Sequence, residues 1–325
     1  MDVDIDERAA WFAERFDAIA GNVERVIQGK RPAIEQVLMC LMAEGHALIE
    51  DVPGVGKTLL AKSIARSIDC SFNRIQFTPD LLPSDITGVS VWDRQRSEFA
   101  FKPGAIFANV VVGDEINRAS PKTQAAPLEA MEERQVTVDG VTRPLDPPFM
   151  VVATQNPLEH EGTYPLPEAQ LDRFMMRVTL GYPTREKELE MLDTHGIRST
   201  FPDLTPVVGA DEVVAMIDAA RHIHVAPSIR SYLIDLVEAT RNHTEVLLGA
   251  SPRSALFLQR VARVRAATEG RAFVTPDDIK ALCVPVLEHR MALRPEAQMR
   301  GTDLRDVLAS ILRHLRVPGS TRVAT

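Results

Sequence analysis

The 325-residue sequence predicts an α/β protein in two parts, an αβα layer built on a parallel sheet and then an all-helical region. Three observations carry that expectation. Short apolar runs alternate with helix-spaced segments as far as Leu180, the pattern of strands joined by crossover helices. The run Phe107-Ala108-Asn109-Val110-Val111-Val112-Gly113 does not alternate apolar with polar, as expected of a strand buried on both faces. After Gly181-Tyr182-Pro183 only helical periodicity remains.

In chain order, Trp11, Phe12, Phe16 and Ile19 fall at helical spacing within residues 7–20, and Ile34, Val37, Leu38 and Leu41 do so within 32–43, so two helices should precede the first strand. That strand is the run at 46–49, followed by a glycine-containing turn and a helix over 58–68. Further strands are expected at 71–77, 107–113, 149–154 and 177–180, separated by helices such as 121–134 and 168–174. Hairpin inserts are expected near 86–102 and 135–145; in the second, Asp139-Gly140 between β-formers is a strong turn signal. The rest reads as helices only, at 184–195, 211–222, 227–242, 252–269, 276–290 and 303–315. The expected division is a core over residues 1–182 and an all-helical domain over 183–325.

Composition narrows the partners. With 37 basic and 45 acidic residues the net charge is −8, which offers no footprint for neutralising nucleic-acid phosphates. Cys40, Cys70 and Cys283 lie far apart with no metal-ligand spacing and read as small buried apolar residues of a reducing compartment. The amino terminus lacks a signal-peptide pattern and no apolar run is long enough to span a bilayer, so no membrane insertion and a cytoplasmic location are expected.

The chemistry concentrates in two motifs. Asp51-Val52-Pro53-Gly54-Val55-Gly56-Lys57-Thr58 lies between a strand and a helix and matches the second half of a phosphate-binding loop. Pro53, Gly54, Val55, Gly56, Lys57, Thr58 and Leu59 would surround the phosphates of ATP, with main-chain amides and the helix start facing negative charge. Lys57 would reach the β- and γ-phosphates and the Thr58 hydroxyl would ligate Mg²⁺. Asp51 stands where the pattern has glycine, so its carboxylate must turn away from the phosphates or be neutralised. The second motif, Val110-Val111-Val112-Gly113-Asp114-Glu115, is an apolar strand ending in two acids, 57 residues after Lys57. Asp114 would hold Mg²⁺, and Glu115 would polarise the attacking water.

The stretches Gly113 to Ala126, Leu128 to Val136, Ala153-Thr154-Gln155-Asn156-Pro157 and Leu166 to Phe174 together resemble the MoxR family of AAA+ ATPases. The resemblance implies an AAA+ P-loop core with an all-α lid. It assigns Asn156 to the sensor 1 position, Arg173 to the arginine finger supplied across a subunit interface, and Arg253, in Gly-Ala-Ser-Pro-Arg-Ser-Ala, to sensor 2. It further implies a homo-oligomeric, hexameric ring that binds ATP or ADP. Its function would be chaperone-like remodelling, assembly or activation of client proteins, commonly ones with von Willebrand factor A domains. Two other classes stay open: a magnesium-chelatase-like motor subunit, and a scaffold that binds nucleotide and hydrolyses it slowly or not at all. A nucleic-acid helicase is disfavoured by the acidic balance. Pro127 stands where the family usually has leucine, and a mid-helix proline there should kink the helix or shift its start.

Overall fold

A computed structural model describes residues 5–157, 162–195 and 201–318; Met1, His160 and Thr325 fall outside these. Two helices open the chain, α1 (Ile5–Glu24) and α2 (Arg31–Met42). Strand β1 (Ala47–Glu50) leads through the glycine loop into α3 (Lys57–Ser67), followed by β2 (Phe72–Gln76) and the short α4 (Pro83–Thr87). A hairpin of β3 (Gly88–Asp93) and β4 (Glu98–Pro103) precedes β5 (Val110–Asp114) and α5 (Pro121–Glu133). A second hairpin, β6 (Gln135–Val138) with β7 (Val141–Pro144), leads to β8 (Met150–Gln155), α6 (Glu168–Leu171) and β9 (Met176–Val178).

The main sheet is parallel with strand order β2-β5-β8-β1-β9. Successive side chains of β1 enter different cores: Ala47 and Ile49 pack with α1, α2 and α3, whereas Leu48 packs with Phe77, Val111, Val151 and Leu128. This is the period-2 alternation of a strand covered on both faces. Strand β5 is buried along its whole length, as its unbroken apolar run predicts.

Beyond the sheet come α7 (Arg185–His195), α8 (Ala210–Arg221) and α9 (Pro227–Asn242). Then follow β10 (Val246–Leu248), α10 (Pro252–Thr268), α11 (Pro276–Leu287), β11 (Ala292–Leu293), α12 (Pro295–Met299) and α13 (Leu304–His314). The all-helical expectation is corrected here: β10 and β11 form a small antiparallel pair. Three- and two-residue strands show no periodicity in a sequence, so the pairing appears only when the chain folds. The apolar packing also runs across position 183, because Ala9, Phe12 and Ile19 of α1 share one core with Val213 of α8 and Val261 of α10. Helix α5 continues through Pro127 as one helix from Pro121. Cys40 and Cys283 are buried as expected, but Cys70 is partly exposed.

Candidate active site

Residues 51–56 connect the carboxyl end of β1 to α3. Gly56, at φ 94°, is the left-handed residue that caps α3, and Gly54 has φ 84°. Both conformations suit glycine and leave the loop amides and the helix start open to an anion. Pro53 and Gly54 are exposed, Val55 packs against the core, and Leu59 lies on the open side of α3. Lys57 begins the helix, and its Nζ donates to the Asp51 carbonyl oxygen at 2.6 Å. The Thr58 hydroxyl donates to Asp114 Oδ2 at 3.0 Å, joining the two sequence motifs in one place.

Asp114 is nearly buried and its carboxylate is crowded with donors. Thr154 Oγ1 donates to Oδ1 at 2.6 Å, and Arg74 donates to Oδ2 through Nε at 3.1 Å and Nη2 at 2.7 Å. Burial opposes the charge on Asp114, but the hydrogen bonds from Thr154, Arg74 and Thr58 outweigh it and hold the carboxyl below its usual range. Glu115 has φ 57°, an uncommon conformation for a non-glycine residue. Its amide donates to Thr154 Oγ1 at 3.0 Å, so one buried hydroxyl fixes both acids. The Glu115 carboxylate meets Gln76 Nε2 at 3.0 Å and Arg118 Nη1 at 3.2 Å. Asn156 is buried just beyond β8.

A hydroxyl and a carboxylate oxygen side by side form the hard, all-oxygen donor set that suits Mg²⁺, so Thr58 and Asp114 fit that ion. The Arg74 guanidinium already places positive charge on the same Asp114 oxygen.

Asp51 is settled by geometry. Its carboxylate is buried and turned out of the loop: Oδ2 accepts the amides of Leu180 (2.8 Å) and Gly181 (2.6 Å), and Oδ1 accepts Val52 N at 2.8 Å. The acid therefore fastens the loop to the segment that leaves β9 for the helical region. Lys30 Nζ holds the same segment by donating to the carbonyls of Leu180 and Tyr182, each at 2.8 Å.

Arg173 and Arg253 come together elsewhere. Both pair with Glu132, Arg173 through Nη2 at 3.3 Å to Oε2 and Arg253 at Oε1. They line a cavity of about 220 Å³ with Glu132, Arg134, Gly45 and His46. Gly45 and His46 precede β1, whereas Lys57 lies past its carboxyl end, and the four-residue strand between them spans about 13 Å. Arg253 therefore sits at the amino ends of the strands, away from the phosphate loop of its own chain, and not in a core–lid cleft containing that loop. His46 braces this edge: Nδ1 accepts Val151 N at 2.9 Å and Nε2 lies 3.1 Å from Met131 O. Burial pushes its pKa down to about 3.

Reading the sequence alone misses Arg74, Thr154, Glu132, Asp172 and Arg290. Thr154 carries a faint signal, since it sits two residues before Asn156 near the end of an apolar strand. The others acquire partners only from the strand order and the docking of α10 and α11.

A parallel sheet with a glycine loop after one strand and paired acids ending another defines a P-loop nucleotide-binding ATPase. Residues 46–176 match the model of the ATPase family associated with various cellular activities (AAA), and residues 238–315 match the AAA lid domain. The chain is 39% identical to Chaperone MoxR1 of Mycobacterium tuberculosis, over 91% of this chain and 81% of that protein. It is 31% identical to Protein MoxR of Paracoccus denitrificans, over 92% and 94% respectively. Against YeaC of Bacillus subtilis the identity is 46%, over 91% of this chain and 93% of that one. A solved structure named as an ATPase, from Cytophaga hutchinsonii, superposes with a TM-score of 0.89 at 38% identity, covering 96% of this chain and 97% of the other. The chain belongs to the MoxR family of AAA+ ATPases.

Proposed function

We propose that this protein hydrolyses ATP as its magnesium complex, in sites shared between neighbouring copies of a homo-oligomeric ring, and uses the cycle to remodel or activate client proteins. The observation that carries the reading is the Thr58–Asp114 contact beside Lys57, with Arg173 and Arg253 paired at the other end of the strands. The loop amides and Lys57 bind the β- and γ-phosphates, and Thr58 and Asp114 hold Mg²⁺, which when bound neutralises charge on the phosphates. Glu115 polarises the attacking water, with Asn156 helping to place it. The two arginines of one copy meet the γ-phosphate of the next, where fixed positive charge lowers the barrier. A hexameric ring closes every such interface.

The relative named Chaperone MoxR1 supports a chaperone-like role, and the client class, proteins with von Willebrand factor A domains, rests on family resemblance. A cytoplasmic location accords with there being no helix, among the described residues, long and apolar enough to cross a membrane. The test is phosphate release from Mg·ATP by the purified protein beside Glu115→Gln, with turnover expected to fall about 100-fold or more in the variant. No turnover by the wild type above the variant's background would instead favour a nucleotide-binding scaffold. Dependence on companion subunits and a tetrapyrrole would favour a magnesium-chelatase-like motor.

A further inference from the structure

Asp172 stands immediately before Arg173, and its side chain is held from two directions. Ser251 Oγ donates to its two carboxylate oxygens at 3.2 and 3.3 Å. Ser251 is the N-cap of α10, whose first residues are Pro252 and Arg253. From the other side, Arg290 Nε donates to Asp172 Oδ1 at 2.9 Å. The Arg290 side chain is 1% exposed, and its terminal N–H groups reach main-chain carbonyls on either side of Arg173, Asp172 at 3.2 Å, Met175 at 3.2 Å and Phe174, as well as the Val286 carbonyl of α11 and the His289 ring at 2.7 Å. Two of the three elements that meet here carry an arginine of the shared pocket, and the third, the turn after α11, supplies the buried cation that locks them.

We infer that Asp172 is a positioning residue that sets Arg173 and Arg253 as one rigid pair, so that a neighbouring copy's ATP meets both guanidinium groups in a single approach. The inference rests on the shared-site reading above. Both arginine heads reach the same Glu132 carboxylate, so their spacing already suits one anion held between them. A carboxylate is the group that can do this. It accepts from a hydroxyl and a guanidinium at once, and its charge keeps Arg290 buried without an unpaired cation. Placing a pair of arginines to within a fraction of an ångström is what transition-state stabilisation by fixed charge requires.

The experiment mixes two subunits that are each inactive alone. The acceptor carries Arg173→Ala and keeps its phosphate loop; the donor carries Lys57→Ala and keeps its arginines. A shared site predicts that the mixture hydrolyses Mg·ATP. Asp172→Asn is then added to one subunit at a time. We expect its loss of turnover to be about tenfold larger in the donor than in the acceptor. The milder Ser251→Ala, which cuts only the link to the helix of Arg253, is expected to show the same asymmetry at about threefold, the scale of one hydrogen bond. A general folding role would lower turnover equally in both positions, and that result would overturn the assignment while leaving the shared site standing. A mixture that stays silent before Asp172 is altered would overturn the shared-site reading, and the role of Asp172 with it.

Discussion

At the scale of single residues, the departure of the phosphate loop from the common pattern is a structural joint. Asp51→Gly restores the usual glycine but strips acceptors from the amides of Leu180 and Gly181. It is expected to lower stability by about 2 kcal/mol, the cost of leaving such donors unpaired, read by thermal unfolding; a gain in stability would contradict the assignment. His46 yields a prediction with a definite sign. The unfolded chain takes up its proton near pH 6.5, whereas the folded protein does not until about 3. Stability is therefore complete above pH 6.5 and is lost as the pH falls through that window, at about 1.4 kcal/mol per pH unit. Between pH 7 and 5 this group alone removes about 2 kcal/mol, measurable by urea unfolding. His289, pushed well below its ordinary value by burial and by Arg290, acts in the same direction. An NMR titration in which the His46 ring protonates near pH 6.5 in the folded protein would contradict this.

At the scale of elements, α11 shows how a helix start is locked. Thr275 caps it, and Asp278 in its first turn is 2% exposed, accepting from Arg271 at 2.7 and 3.0 Å and from Thr275 N at 2.7 Å. Asp278→Ala takes away the acceptor shared by Arg271 and the Thr275 amide, leaving Arg271 to Glu269 alone among the carboxylates, and is expected to cost about 1–3 kcal/mol. Asp277→Ala, one residue earlier and exposed, should stay within about 0.5 kcal/mol; similar melting temperatures for the two variants would contradict the assigned roles. The same contrast explains what the sequence makes legible. The strand–loop–helix unit around Lys57 and the acid-ended strand at Asp114 are local patterns, readable from spacing within a few residues. Arg74 reaches Asp114 across 40 positions, Ser251 reaches Asp172 across 79 and Arg290 across 118. Those partners depend on strand order and helix docking, which no periodicity encodes. The position of Arg253 is lost to sequence reading for the same reason: its motif marks a helix start, not the edge of the sheet on which that helix comes to rest.

At the scale of the whole molecule, the paired acids beside Lys57 and the paired arginines occupy opposite ends of the strands, so under the proposed function a single 35.9 kDa chain would hold two halves of different sites. Light scattering of Glu115→Gln with Mg·ATP is expected to give a mass several times that of the monomer, and a monomer at every protein concentration would contradict the shared site. Client capture by the same variant is expected to retain proteins with von Willebrand factor A domains, and recovery of none would remove that class. All of this depends on the loop at Lys57 binding a triphosphate. The most direct measurement is calorimetric titration of Mg·ATP into the wild-type protein and Lys57→Ala: saturable binding by the first and about 100-fold weaker binding by the second are expected, from losing a charged contact to the phosphates. Equal affinity in the two proteins, or no heat of binding in the wild type, would contradict it.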